Sequence, residues 1–259
     1  MINICNLWKT YKTRAVLQGL SLKVKRGETL VILGRSGVGK SVLLKHIIGI
    51  CVADRGYIEV DGVRISDLKE EKRLKITNNM GMLFQGSALF DSMNTEENVA
   101  FFLKQHGDIK KGVRYANSEI SDMVDHALKM VDLSGTQKQM PSDLSGGMRK
   151  RVGFARMIVY RPEYLLYDEP TAGLDPITAM QINELIVKVQ QELKATSIVV
   201  THDIISSLYV GDRLALQKDG KIAYIDTPDK FLQIEDSIIA FLRQTVSRDP
   251  RTFRRKQNG

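Results

Sequence analysis

The hydrophobic and polar positions of the chain fall into two patterns. Residues 29–34, Thr-Leu-Val-Ile-Leu-Gly, form an unbroken apolar run ending in glycine. Such a run predicts a buried strand that feeds a loop. After that loop, Val42, Leu43, Leu44, Ile47 and Ile48 recur at helical spacing. Two further apolar runs lie at residues 164–167 and 197–200, the first followed by Asp168-Glu169 and the second by Thr201-His202-Asp203. Between them, residues 177–193 place Ile182, Leu185, Ile186 and Val189 on one face of a helix. Strands alternating with helices predict an α/β domain with a largely parallel sheet, whose ligands sit at the carboxyl ends of the strands. The polar residues just named stand there.

The stretch from residue 93 to 155 lacks strong strand runs. Ile120, Met123, Val124, Ala127, Leu128 and Val131 step as an amphipathic helix, with Asn117 or Ser118 as its expected cap. A second helix is expected over residues 148–160. These predict a helical subdomain inserted into the α/β core. Thr227-Pro228 reads as an N-cap and first helical turn. A C-terminal helix is expected over residues 229–242, followed by a basic tail over residues 243–259.

Composition narrows the class. The chain has 259 residues, 43% hydrophobic and 26% charged, which excludes a disordered chain. No apolar run is long enough for a membrane span, and the start, MINICNLWKTYK, lacks the apolar segment of a secretory signal. Cys5 and Cys51 make no disulfide framework and no metal cluster, and reduced, partly buried thiols are expected. The net charge is +8, of which the tail from Arg243 onward carries +5. That tail suits an anionic lipid surface, a nucleic acid or a partner protein, or else simply frays. The charge therefore says little about the main body.

The residues 34–41, Gly34-Arg35-Ser36-Gly37-Val38-Gly39-Lys40-Ser41, follow the pattern GxxxxGK[ST] between an expected strand and an expected helix. Glycines let consecutive backbone N–H groups turn onto phosphate oxygens, and the helix adds its positive end. Lys40 suits the β- and γ-phosphates and Ser41 a Mg²⁺ ion. Asp168, at a strand tip, suits the same ion, and Glu169 suits the base that positions an attacking water. Leu144-Ser145-Gly146-Gly147-Met148, ahead of a helix, forms a second anion cradle from N–H groups and a hydroxyl. Two cradles in one chain make sense if the second serves another molecule's nucleotide.

This combination resembles the ATP-binding-cassette (ABC) ATPase family, over about residues 1–230. Residues 34–41 resemble its Walker A loop, Asp168 and Glu169 its Walker B acid and catalytic glutamate. Residues 144–148 resemble its signature motif, with Met148 where glutamine is commoner. Gln85 resembles the Q-loop glutamine that links Mg²⁺ and water to the subunit interface, residues 172–175 the D-loop, and His202 the switch histidine. Tyr11 resembles the aromatic that stacks on adenine, with Trp8 as the competing candidate. The resemblance implies a P-loop, RecA-like core with an antiparallel β-subdomain over residues 1–92 and 156–228, and a helical signature subdomain over residues 93–155. It implies ATP and Mg²⁺ as cofactors, and Glu169, His202 and Gln85 as catalytic groups. It also implies a head-to-tail homodimer with each ATP between one chain's Walker A loop and the other's Ser145, Gly146 and Gly147.

Three kinds of ABC protein are open at this point. A ribosome-acting type usually joins two cassettes in one chain, and a DNA-acting type usually inserts a long coiled coil between the Walker motifs. Here one cassette is present, and about 130 residues without sustained heptads separate those motifs. The transporter subunit fits both points, and no nucleic acid partner is expected. The stretches around residues 42–47, 81–92 and 144–156 resemble the ATPase of Mla/MCE-type phospholipid transporters of Gram-negative bacteria and plastids. That likeness implies phospholipid transport between membranes, a multi-span permease, a lipid-binding MCE-domain protein, and a place on the cytoplasmic face of the inner membrane. Another cargo, such as an amino acid or an organic solvent, is the alternative. Residues 80–102, rich in Met and Phe, are either core or a dock for a permease helix.

Overall fold

The computed structural model describes residues 1–108 and 111–247, with side chains to residue 244. Most of the basic tail therefore lies outside the described residues. The elements in chain order begin with β1 (Ile2–Tyr11), β2 (Arg14–Val24), β3 (Thr29–Leu33), α1 (Lys40–Ile47), β4 (Arg55–Val60), β5 (Val63–Arg64) and α2 (Glu70–Thr77). There follow β6 (Met80–Leu83), α3 (Thr95–His106), α4 (Asn117–Met130), α5 (Gly146–Ile158), β7 (Tyr164–Asp168) and α6 (Pro176–Leu193). The described chain closes with β8 (Thr196–Thr201), α7 (Ile204–Val210), β9 (Arg213–Lys218), β10 (Lys221–Asp226), α8 (Pro228–Phe231) and α9 (Ser237–Ser247).

The chain folds as two compact units, Met1–Arg73 with the chain from Thr196, and Leu74–Ala195. The first unit holds an antiparallel sheet in the order β2-β1-β4-β5. It also holds β3 paired in parallel with both β8 and β9, and β9 paired antiparallel with β10. All five residues of β3 and all six of β8 are buried, which is why both read as continuous runs rather than alternating ones. Asp219 and Gly220, with φ of 49° and 72°, make the two-residue turn between β9 and β10.

The second unit pairs β6 with β7 in parallel and carries α3, α4, α5 and α6. The helical stretch expected over residues 93–155 supplies three of those helices. Val124, Ala127 and Leu128 of α4 are buried, as the spacing predicts. Gly81 and Gly153 permit close packing here: a Cβ on Gly81 would lie 2.5 Å from Met157 Cγ, and one on Gly153 2.8 Å from Leu83 Cδ1.

Three sequence expectations are corrected. The cap of α4 is neither Asn117 nor Ser118, which lie inside the helix; the N-cap is Ala116, whose N–H donates to Glu119 Oε2 at 2.7 Å. The carboxylate of the first turn has taken over the capping role. The helix expected over residues 148–160 is α5, begun two residues earlier by Ser145 at its N-cap. The helix expected over residues 229–242 is two helices. Asp236 breaks it, its carboxylate accepting from Ile238 N–H at 2.8 Å and its carbonyl from Ala240 N–H at 2.8 Å, so a new helix starts there.

Candidate functional site

In the first unit, β3 delivers the chain to the phosphate loop and α1 receives it. Leu33 is paired with Leu216, so Gly34 emerges beside Gln217 of β9. A Cβ on Gly34 would lie 2.7 Å from the Gln217 carbonyl oxygen, a space only glycine fits. Gly39, the N-cap of α1, has φ of 103°, and a Cβ there would meet Val16 Cγ1 at 2.7 Å. No side chain caps α1 and no acid stands in its first turn. Its N-terminus therefore keeps the donors and positive field that an anion needs. Lys40 is buried, 5% exposed, and its ammonium donates to the carbonyls of Gly34 at 2.7 Å and Arg35 at 3.3 Å. The lysine is thus folded back over its own loop, with Ser41 next to it on α1. Arg35, Ser36 and Gly37 are exposed at the crown.

His202 follows β8 and is exposed. The next residue, Asp203, caps α7 by accepting from Ile205 N–H at 2.9 Å and Ser206 Oγ–H at 2.5 Å, which fixes the backbone that carries the histidine. Gly34, Arg35 and His202 share a cavity of about 340 Å³ with Leu216, Ile238 and Phe241. The structure thus brings the expected switch histidine to the entrance of the phosphate loop. Tyr11 ends β1, 44% exposed, and its hydroxyl donates to Cys51 Sγ at 3.7 Å. Trp8, 36% exposed, donates instead to Asn6 Oδ1 at 3.0 Å. The Trp8 ring also lies 3.2 Å from where a Cβ on Gly19 would sit.

In the second unit, Asp168 is the last residue of the wholly buried β7, and Glu169 follows it, 6% and 9% exposed respectively. Glu169 has φ of 47°, a left-handed conformation that costs a non-glycine residue about 1–2 kcal/mol. Strain of this kind gathers at functional positions. Ser145 caps α5, its hydroxyl accepting from Met148 N–H at 3.2 Å. The expected anion-binding hydroxyl is thus engaged with its own helix. Gly146 and Gly147 form the first turn, which holds no acid. A Cβ on Gly147 would lie 2.7 Å from Thr178 Cγ2.

Gln85 is exposed just beyond β6, and its backbone is held from α5. Lys150, 5% exposed, donates to the Gln85 carbonyl. Arg156 donates to the carbonyls of Ser87 and Ala88, both at 2.8 Å. Ser87 and Ala88 are left-handed, with φ of 62° and 48°, so these two contacts pin an unfavourable turn. Burial lowers the Lys150 ammonium below its usual range, while the charges of Asp168 and Glu169 work the other way. The sequence assigns no separate role to Lys150 or Arg156, which both lie in the stretch over residues 144–156. Arg149 donates to Leu144 O at 2.5 Å and Arg151 to Val131 O at 2.9 Å, so the run Arg149-Lys150-Arg151 is spent on backbone carbonyls.

Comparison with known proteins bears on the family and the fold. The profile of the ABC transporter family matches residues 17–172. The probable ribonucleotide transport ATP-binding protein Mkl of Mycobacterium leprae is 38% identical over 215 residues, 83% of this chain and 60% of that protein. This chain thus spans about three fifths of that relative's length. The intermembrane phospholipid transport system ATP-binding protein MlaF of Haemophilus influenzae is 36% identical over 94% of this chain and 90% of its own. Among solved structures, the dimeric post-hydrolysis ATP-binding cassette MJ0796, bound to ADP and Pi, superposes with a TM-score of 0.78 at 31% identity. That superposition covers 88% of this chain and 98% of the other. The fold is that of an ABC ATPase, and the chain belongs to the ABC transporter family.

Proposed function

We propose that this chain drives the transport of phospholipid between membranes as one half of a cassette homodimer beneath a multi-span permease, with a lipid-binding MCE-domain protein as the further partner. The carrying observation for the chemistry is the phosphate loop: an uncapped helix N-terminus, a left-handed Gly39 and a buried Lys40 turned over the loop. The likeness to MlaF, which extends over most of both chains, supports the cargo.

The residue roles follow from these positions. Backbone N–H groups of Gly34–Ser41 hold the triphosphate, and Lys40 transfers its two hydrogen bonds from loop carbonyls to phosphate oxygens. Ser41 and Asp168 offer the hard oxygen donors that Mg²⁺ takes, with Gln85 as a further ligand. The ion, when bound with ATP, neutralises charge on the leaving phosphates. Glu169 orients the attacking water and takes its proton. His202 faces the γ-phosphate, and Tyr11 stacks on adenine. Ser145, Gly146 and Gly147 close over the ATP of the partner copy, so that loss of the γ-phosphate removes contacts between two surfaces and opens the dimer. Residues 93–155 are the signature-bearing part of this scheme.

Among the described residues no helix is long and apolar enough to cross a membrane. In this proposal the permease holds the chain at the cytoplasmic face. Of the expected dock over residues 80–102, Met80 and Leu83 are core, whereas Phe90 is 40% exposed beside Phe101, their rings 4.7 Å apart. Phe90 is the surface part of that dock.

The test is affinity capture of the tagged protein from native membranes in mild detergent, with proteins and lipids identified by mass spectrometry. Recovery of a permease, an MCE-domain protein and bound phospholipid is expected. A permease with a different substrate-binding protein would leave the ATPase and remove the phospholipid assignment. Ribosomes or DNA-bound proteins without a permease would remove the transporter reading.

A further inference from the structure

Two carbonyls at the crown of the phosphate loop are held by side chains that no motif includes. Arg14 of β2 donates from Nη2 to the Gly37 carbonyl at 2.9 Å. Gln217 of β9 donates from Nε2 to the Val38 carbonyl at 3.0 Å. Both contacts lie within the first unit. Gln217 is 1% exposed, and its Oε1 is buried without a hydrogen-bond partner. A buried amide that leaves one end unsatisfied carries a desolvation cost, so the bond made by its other end has to matter to the fold or to function. Its orientation is fixed, because the Val38 carbonyl can only accept.

From this geometry we infer that Arg14 and Gln217 are positioning residues for ATP, aiming two amide donors of the phosphate cradle; the inference rests on the ATPase reading above. The argument is peptide planarity. In a trans peptide the C=O of one residue and the N–H of the next point in opposite directions, and the described residues contain no cis bond. Drawing the Gly37 carbonyl toward Arg14 turns the Val38 N–H away from Arg14. Drawing the Val38 carbonyl toward Gln217 does the same for the Gly39 N–H. The Val38 N–H in fact addresses the Arg35 carbonyl at a long 3.4 Å, the same oxygen that Lys40 Nζ approaches at 3.3 Å. Two donors converging on one carbonyl oxygen mark the place where a phosphate oxygen collects both. Glycine at 37 and 39, with φ of 79° and 103°, gives these peptide planes freedom to rotate; the two side chains remove it.

The effect belongs to the phosphates and not to the base, which sets the experiment. Titration calorimetry with Mg-ATP and with inorganic tripolyphosphate is made on the full chain and on Arg14→Ala, Arg14→Lys and Gln217→Leu. Each loss of a clamp is expected to raise Kd for both ligands about fivefold, the scale of one net hydrogen bond. Arg14→Lys, which keeps a donor, recovers most of that loss. In turnover assays the same variants raise KM for ATP more than they lower kcat, as loss of uniform binding requires. Variants that fold as the parent does and bind both ligands within twofold of it would overturn the inference. So would a loss confined to ATP with tripolyphosphate unaffected, which would place the effect at the base. Should Gln217→Leu fail to fold, the exposed Arg14 carries the test. A parent chain that binds neither ligand would instead overturn the ATPase reading, and the inference with it.

Discussion

In the proposed function, Lys40 and Glu169 divide the work between binding and hydrolysis. Lys40 folds back over carbonyls of its own phosphate loop, and in the proposed function those two hydrogen bonds pass to phosphate when ATP binds. Lys40→Ala is expected to weaken ATP binding on the order of tenfold to a hundredfold, the range for a charge-assisted hydrogen bond, as read by fluorescent-nucleotide titration. The motif residues were legible in the sequence because backbone geometry dictates them: Gly34 and Gly39 occupy positions that exclude a Cβ. Arg14, Lys150, Arg156 and Gln217 were not legible. Their partners are carbonyl oxygens, which every residue has, and the pairs lie 23 to 179 positions apart. Nothing in local spacing selects one carbonyl over another.

At the scale of elements, buried polar groups set local stability. Asn98 of α3 is fully buried. It accepts from Phe90 N–H at 2.8 Å and donates to the carbonyls of Phe90, Met93 and Asn94 at 3.1, 2.8 and 3.0 Å. It thereby builds the turn that presents Phe90. Asn98→Leu would strand those backbone groups and should cost about 1–3 kcal/mol in a denaturant melt. His46 of α1 gives a second test. It is buried, its Nδ1 lies 2.7 Å from the Val42 carbonyl, and burial lowers its pKa below the ordinary value of 6.5. The folded chain then binds fewer protons than the unfolded one below pH 6.5. This contribution is full above that pH and is lost as the pH falls through the window beneath it. The melting temperature of the parent should drop between pH 7.5 and 5.5 by more than that of His46→Leu; equal drops would count against the buried neutral imidazole. Of the strands, β3, β7 and β8 were legible from apolar runs, and α6 was legible from helical spacing. The break at Asp236 was not, because the apolar positions on either side continue in helical phase and only the carboxylate's local bonding interrupts them.

At the scale of the whole molecule, the proposed function joins a second copy of the chain to a membrane partner. Gly147→Asp would place a carboxylate at the anion-binding end of α5 and press a Cβ to within 2.7 Å of Thr178. Nucleotide binding to the isolated monomer should persist while steady-state hydrolysis disappears, because in the proposed function this motif acts on the other copy's ATP. A charge at Phe90 should leave hydrolysis by the purified chain in place and abolish its stimulation by the permease; equal loss of both would assign Phe90 to the fold. The central claim is that Glu169 performs hydrolysis within an ATP-closed dimer. Its most direct test is mass photometry of Glu169→Gln with Mg-ATP, paired with a phosphate-release assay on the same sample. The account predicts a stable dimer that holds ATP and releases almost no phosphate. A monomer that turns over at the parental rate would contradict it.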